Sequence, residues 1–257
     1  MSIVSVQHVS KAFGGVKAVD DCSLEVPEGQ ITGLIGPNGA GKSTLMEMIA
    51  GGLRPDSGKI LFDGVDITGW RRSRIARQGL GRTFQIPRPF GKVPVIENVM
   101  AGRAPQKGET FWRALLNVGW HSEERELRLQ ADELLHQTGL AGRRDALGFQ
   151  LSGGQLKLLE LAKARMAAPK LLLLDEPIAG VNPKLAGELA EHVLAMKQAN
   201  MTILVVEHNL RFVDQVCDSV IVMATGRVLI EGKLDDVRKN KQVMSVYLGE
   251  TAEGVTG

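Results

Sequence analysis

The sequence predicts an α/β protein in which βα units are interrupted by a helical insertion at about residues 86–165. Three observations predict it. Short apolar strands alternate with helix-forming segments toward both ends of the chain. The string GPNGAGKS (36–43) lies between one such strand and one such helix. The middle of the chain then changes character: Pro87, Pro89 and Pro94 break the segment after Gln85, and a helical stretch follows.

Taken in order, the first thirty residues alternate enough for short strands, with PEG (27–29) as a turn. ITGLIG (31–36) is a buried strand running into a Gly-rich loop, and a helix from Lys42 to about Ala50 follows, stopped by Gly51 and Gly52. KILFDG (59–64) and GRTF (81–84) read as strands. SEERELRLQADELLHQTGL (122–140) carries helix signals at both ends, with Ser122 as cap, acids in the first turn and Gly139 as stop. Leu127, Ala131, Leu134 and Leu135 form its apolar face. A helix over 151–168 ends at Pro169, and LLLLD begins the next strand. A helix from Pro183, the strand TILVVE (202–207), a helix near 209–216 and the strand VIVM (220–223) complete the alternation. ATGR turns that last strand into VLIEG as a hairpin.

Composition limits the function. The chain has 257 residues, 44% hydrophobic and 23% charged, enough for a core and for solubility. A net charge of +2 argues against nucleic acid as a partner. The two cysteines, Cys22 and Cys217, have no metal-like or CxxC spacing and read as buried thiols of a reducing compartment. MSIVSVQHVSKAFGG shows no signal peptide, and no apolar run approaches the ~18 residues of a membrane span. The expectation is a cytoplasmic chain that reaches a membrane only through a partner.

GPNGAGKS fits G-x-x-x-x-G-K-[ST] in the strand–loop–helix context that motif requires. Its glycines let backbone amides wrap phosphates, Lys42 reaches the β and γ oxygens, and the Ser43 hydroxyl can ligate Mg²⁺. Kinases, GTPases and motor ATPases all share such a loop. Four leucines then lead into Asp175-Glu176-Pro177, two acids at the edge where open α/β sheets place ligands. Asp175 can hold Mg²⁺ through water, and Glu176 can orient or deprotonate an attacking water. An acid in that place favours hydrolysis over transfer to a substrate hydroxyl, so the reading is an ATPase.

LSGGQLKLLE (151–160) contains a second anion site. Ser152 and Gln155 form a capping box, and Gly153 and Gly154 leave a bare helix start with exposed amides. An ordinary cap explains Ser152 and Gln155 and leaves the glycines unexplained.

Leu151-Ser152-Gly153-Gly154-Gln155 followed by LLLLDEP resembles the ATP-binding cassette family. The phosphate loop, Gln85, the LSGGQ string, LLLLDEP and the histidine of VVEH (205–208) occur in that family's order. The resemblance implies a P-loop NTPase (RecA-like) core with an antiparallel β subdomain, formed by 1–85 and 166–257, and an inserted α-helical subdomain at 86–165. It also implies two cassettes packed head to tail, a homodimer or a heterodimer. Each ATP then lies between one subunit's loop, Gly36, Pro37, Asn38, Gly39, Ala40, Gly41, Lys42, Ser43 and Thr44, and the other subunit's Ser152, Gly153, Gly154 and Gln155. Ser152 and the Gly154 amide would donate to a γ-phosphate that ADP lacks, so the two anion sites serve two different nucleotides.

By the same resemblance Gln85 approaches Mg²⁺ and the attacking water, His208 contacts the γ-phosphate, and Phe13 stacks on adenine with Val16 beside it. His8, His121, His136 and His192 receive ordinary surface or core roles. AGVNP (179–183) stands where the family has its dimer-crossing loop, with Asn182 in place of the common aspartate and as cap of a helix starting at Pro183. LKLL after LSGGQ replaces a more usual glutamine-arginine start.

FGGVKAVDD, GRTFQIPRPF, VIENVMAG, AGVNP, VVEHNL and YLGE resemble one branch, the ATPase subunits of branched-chain amino-acid importers. That implies an unequal pair of cassettes, transmembrane permease subunits, a periplasmic solute-binding protein, and a peripheral place on the cytoplasmic face of the inner membrane. Phe90 and Val93 in the Pro-rich stretch are offered to a permease helix, and ETFWRALLNVGW (109–120), with Trp112 and Trp120, reads as helix packing or a partner-facing patch. A cassette energising lipid or other export, and a soluble cassette protein without a transporter, are the alternatives. One phosphate loop and no sustained heptads count against the second.

Overall fold

The computed structural model describes residues 1–83, 89–103 and 120–245, with the backbone alone at 120–123. It divides into two compact units, Met1–Arg82 with Lys170–Pro177 and Val193–Gly257, and Thr83–Pro169 with Ile178–His192. The described helices are α1 (Lys42–Ile49), α2 (Arg72–Gln78), α3 (Val95–Met100), α4 (Trp120–Gln137), α5 (Gly153–Ala167), α6 (Pro183–Gln198), α7 (Leu210–Val216) and α8 (Leu234–Arg238).

The first unit holds two sheets. β1 (Ser2–Phe13), β2 (Val16–Pro27), β4 (Ser57–Phe62) and β5 (Val65–Asp66) form an antiparallel sheet in the order β2-β1-β4-β5. β1 and β2 run twelve residues each, longer than the short strands expected. The register shifts between Val6 and Val9 and again past Lys11, and such bulges hide the two-residue period along which strands are read.

The second sheet sets the order β10-β9-β3-β8-β7-β6 from β3 (Ile31–Ile35), β6 (Leu80–Arg82), β7 (Leu171–Asp175), β8 (Thr202–Val206), β9 (Ser219–Ala224) and β10 (Arg227–Gly232). All its pairings are parallel except the expected β9–β10 hairpin. Every residue of β3, β7 and β8 is buried, which is why these strands appear in the sequence as unbroken apolar runs. Leu45, Met46 and Ile49 of α1 join Leu34, Leu173, Val206, Ile60 and Phe62 in one core that draws on both sheets. Ile35, Val220 and Val222 share a second cluster with Val213 of α7 and Val237 of α8. Cys22 is buried and Cys217 partly so, both unbridged, and burial pushes each thiol up to about 12.

The second unit packs α3, α4 and α5 on one another. Ala131 and Leu135 are buried on α4 as expected, and Gly139, at φ +68°, follows its end. One expectation fails. α4 already runs at Trp120, so Ser122 lies inside the helix and does not cap it; acids following a serine suit a helix interior as well as a first turn. Asn98, fully buried, ties down the loop before α3: its Oδ1 accepts from the Phe90 amide at 2.7 Å, and its Nδ2 donates to the Phe90, Val93 and Pro94 carbonyls at 3.0–3.1 Å. Phe90 on that loop stays 57% exposed. Among the described residues no helix is long and apolar enough to cross a membrane.

Candidate functional site

The strand register gathers the expected residues of the first unit at one edge of the parallel sheet. Asp175 faces Val206, Val206 faces Leu34, and Ile35 faces Val222, so β3, β7 and β8 finish side by side. The Glu176 amide donates to the Val206 carbonyl at 2.9 Å, holding the acid beside the end of β8 where Glu207 and His208 follow. This is the carboxyl edge at which open α/β sheets bind ligands.

The loop from Gly36 to Gly41 is shaped by backbone crowding. At Gly36 (φ +147°) a Cβ would lie 2.0 Å from the Met223 carbonyl oxygen, and at Gly41 (φ +96°) it would lie 2.2 Å from that of Ala18. Both positions therefore demand glycine twice over, for torsion and for space. The loop is also braced from the β9–β10 turn, where the Gly226 amide donates to the Ala40 carbonyl at 3.1 Å. Lys42 Nζ donates to the Gly36 and Pro37 carbonyls, 2.7 Å each, folding its ammonium back across the loop. Ser43 is exposed and Thr44 half-buried at the start of α1, whose N-cap, Gly41, offers no side chain. The amides there face outward with the helix dipole behind them. Gly41→Ala should cost about 1–3 kcal/mol in backbone strain alone and abolish tight nucleotide binding. Thermal melting with and without ATP checks this: a variant that ATP stabilises as much as the parent refutes it.

Asp175, 9% exposed, closes β7 and accepts from Arg82 Nη2 at 3.0 Å through its Oδ2. Glu176 is half-buried with φ +46°, a left-handed backbone uncommon outside glycine. The donors fit a hard divalent cation, one hydroxyl at Ser43 and one carboxylate at Asp175. No group of three or more His, Cys, Asp or Glu among the described residues could hold an ion by itself. Any ion there would need further ligands besides these two.

His208 has its side chain 69% exposed at the mouth of this edge. Behind it stands Glu207, fully buried, whose Oε2 accepts from the His208 and Asn209 amides at 3.1 and 3.2 Å and lies 3.9 Å from His208 Nδ1. Asn209 caps α7 through the Arg211 and Phe212 amides. Sequence reasoning passed over Glu207; an acid ending an apolar strand just before a candidate histidine was the available signal. Arg82 and Glu47 were missed as well. Burial acts to raise the Glu47 carboxyl, but the guanidiniums of Arg82 and Arg72 outweigh it and hold the group below the ordinary carboxylate value.

Phe13 and Val16 flank the β1–β2 turn, 47% and 70% exposed, so neither is a core residue. Lys11 Nζ lies 5.6 Å from the Phe13 ring centroid. Gln85 and the segment holding Trp112 lie outside the described residues, as do the side chain of Trp120 and residues 86–88 of the Pro-rich stretch.

In the second unit Ser152 caps α5 as expected. Its Oγ accepts from the Gln155 amide at 3.3 Å while Gln155 Oε1 accepts from the Ser152 amide at 3.0 Å. The two glycines part company here. A Cβ on Gly154 would come 2.6 Å from Leu185 Cδ2, a packing reason that sequence reasoning did not see, whereas Gly153 has open space around it. Asn182 Oδ1 accepts from the Leu185 amide at 2.9 Å, capping α6.

Residues 19–179 match the ABC transporter family. The probable branched-chain amino acid transport ATP-binding protein LivG of Archaeoglobus fulgidus is 43% identical over 250 residues, 97% of this chain and 96% of its own. The lipopolysaccharide export system ATP-binding protein LptB of Haemophilus influenzae is 35% identical over 97% of this chain and 98% of its own. Among solved structures, an ATP-binding cassette of an ABC transporter in its ADP conformation superposes with a TM-score of 0.83 at 37% identity, covering 97% of this chain and 99% of that one.

Proposed function

This chain belongs to the ABC transporter family, and on that premise we propose that it is the ATP-hydrolysing subunit of a branched-chain amino-acid importer, its catalytic steps carried by Lys42, Asp175, Glu176 and His208. It is an ATPase cassette, as its relatives are. The observation that supports the residue roles is the shared edge of β3, β7 and β8, tied by the Glu176–Val206 hydrogen bond.

At that edge the loop amides and Lys42 take the β and γ phosphates, and the ammonium exchanges the Gly36 and Pro37 carbonyls for phosphate oxygens. Ser43, Asp175 and Gln85 would hold Mg²⁺, which would supply positive charge to offset that of the phosphates. Glu176 takes a proton from the water in line with the γ-phosphate as the water oxygen bonds to phosphorus and the bond to the β–γ bridging oxygen breaks to release ADP, and His208, kept in place through the Glu207 carboxylate, donates to the transferred group. Phe13 and Val16 receive the adenine. Ser152, Gly153, Gly154 and Gln155 serve the nucleotide bound by a second cassette, so ATP closes the pair and hydrolysis releases it.

Transport requires further chains: permease subunits in the membrane, a second cassette, and a periplasmic binding protein that selects the amino acid. The subunit would then sit on the cytoplasmic face of the inner membrane. Phe90, held out on the loop that Asn98 fastens, is offered to a permease. Likeness to the LivG relative favours import of branched-chain amino acids, and likeness to LptB favours the second reading, lipid export. Affinity purification from native membranes in mild detergent, followed by mass spectrometry, separates them. Two distinct permeases with an unequal second cassette are expected. A single pair of identical cassettes with export-type permeases would replace the import reading, and recovery with no membrane protein would sink both.

A further inference from the structure

Arg82, the last residue of β6, is forked between two acids. Its Nη1 donates to Glu47 Oε1 at 2.7 Å and its Nη2 to Asp175 Oδ2 at 3.0 Å. The three side chains are 16%, 28% and 11% exposed. On the outer side Glu47 Oε2 accepts from Arg72 Nη2 at 2.5 Å. Glu47 lies on α1, the helix that opens with Lys42 and Ser43, while Asp175 ends β7. The chain of charges therefore links the phosphate-binding helix to the carboxylate across the sheet.

Stability alone explains this arrangement poorly. Desolvated ion pairs are often no better than apolar residues of the same volume. Here the Arg82 Nε is in addition buried with no hydrogen-bond partner among the described residues, which carries a further penalty. What a guanidinium fork supplies is geometry, since its planar donors hold two carboxylates at a set separation and angle. Lysine could supply the charge without the fork.

We propose that Arg82 is a positioning residue for the cation half of the nucleotide site. Through Glu47 it keeps the Asp175 carboxylate in register with Ser43 before nucleotide arrives, so that Mg²⁺ would meet these two of its donors already set. The inference rests on the reading of Asp175 and Ser43 as cation donors. It adds that the outer partner of Asp175 is built into the chain at β6.

The test titrates Mg²⁺ into the EDTA-treated full chain with the fluorescent analogue mant-ATP and reads the half-saturating cation concentration. Loss of an outer partner of a metal-binding group typically lowers metal affinity 10–100-fold, so Arg82→Gln should raise the half-point by roughly tenfold. Arg82→Lys should raise it too, because the fork is lost, and Glu47→Gln should raise it less. Binding of mant-ATP without Mg²⁺ should not change. If Arg82→Lys and Glu47→Gln melt earlier yet keep the parent's half-point, the network is structural and the proposal is wrong. A lower half-point would mean that Arg82 competes with the cation, which also overturns it. Asp175→Asn separates the two levels. If the parent shows no Mg²⁺ dependence and Asp175→Asn behaves like it, the site reading itself fails. If Asp175→Asn loses a dependence that the Arg82 variants retain unchanged, only the positioning role fails.

Discussion

Glu176→Gln is expected to cut steady-state ATP hydrolysis by roughly 10²–10⁴-fold, the range that a positioned general base contributes, while leaving nucleotide bound. The amide keeps the size of the side chain and its backbone bond to Val206, so the sheet edge should not move. What is lost is the ability to accept the water's proton. The left-handed backbone at Glu176 makes the substitution informative, because glutamine inherits the same φ of +46° and adds no new strain. Melting temperature and mant-ATP affinity should therefore match the parent, and phosphate release alone should fall. Near-parental phosphate release would remove Glu176 as base and transfer the role to His208 or to the bound phosphate itself.

The parts of this site that were legible in the sequence are those encoded within a few consecutive residues. The phosphate loop could be read because Gly36, Gly41, Lys42 and Ser43 follow at fixed spacing between a strand and a helix, although the Met223 and Ala18 carbonyls that bar a Cβ at the two glycines are remote in sequence. β3, β7 and β8 could be read because strands buried along their whole length have no polar interruptions. The caps at Ser152 and Asn182 are four-residue patterns, and both formed. Ser122 shows the limit of such patterns, since the same serine-acid string lies inside α4.

The electrostatic frame of the site was not legible. Arg82 meets partners 35 and 93 residues away, and nothing local marks a single arginine in GRTF as their bridge. Only the register of β6 beside β7, with Arg82 opposite Leu173, brings it close to Asp175. Glu207 is a similar case: its burial depends on the position of β8 within the sheet, and it accepts from the backbone amides of His208 and Asn209, which any sequence would supply. α2 and α8, of seven and five residues, are too short to establish a helical period and owe their existence to packing of Ile75, Leu234 and Val237.

Replacing Ser152 with phenylalanine carries the second large effect, and it addresses why one chain has two anion-binding helix starts. In the isolated chain the residue is exposed, its hydroxyl engaged in the cap with Gln155, and it belongs to a different unit from the phosphate loop. Loss of that cap should cost about 0.5–2 kcal/mol of stability, a cost that Ser152→Ala shares. If α5 serves a nucleotide held by a partner cassette, Ser152→Phe should bind mant-ATP in the single chain as the parent does. In the assembled transporter its hydrolysis should fall by about 10²–10³-fold, the scale for removing a donor to developing charge, because the ring fills the space that open Gly153 leaves for a γ-phosphate. Ser152→Ala should lose less, since it leaves that space clear. The decisive comparison is binding in the monomer. Should Ser152→Phe abolish it there while the protein remains folded, the two anion sites would serve one nucleotide within one chain, and the head-to-tail pairing would have to be abandoned.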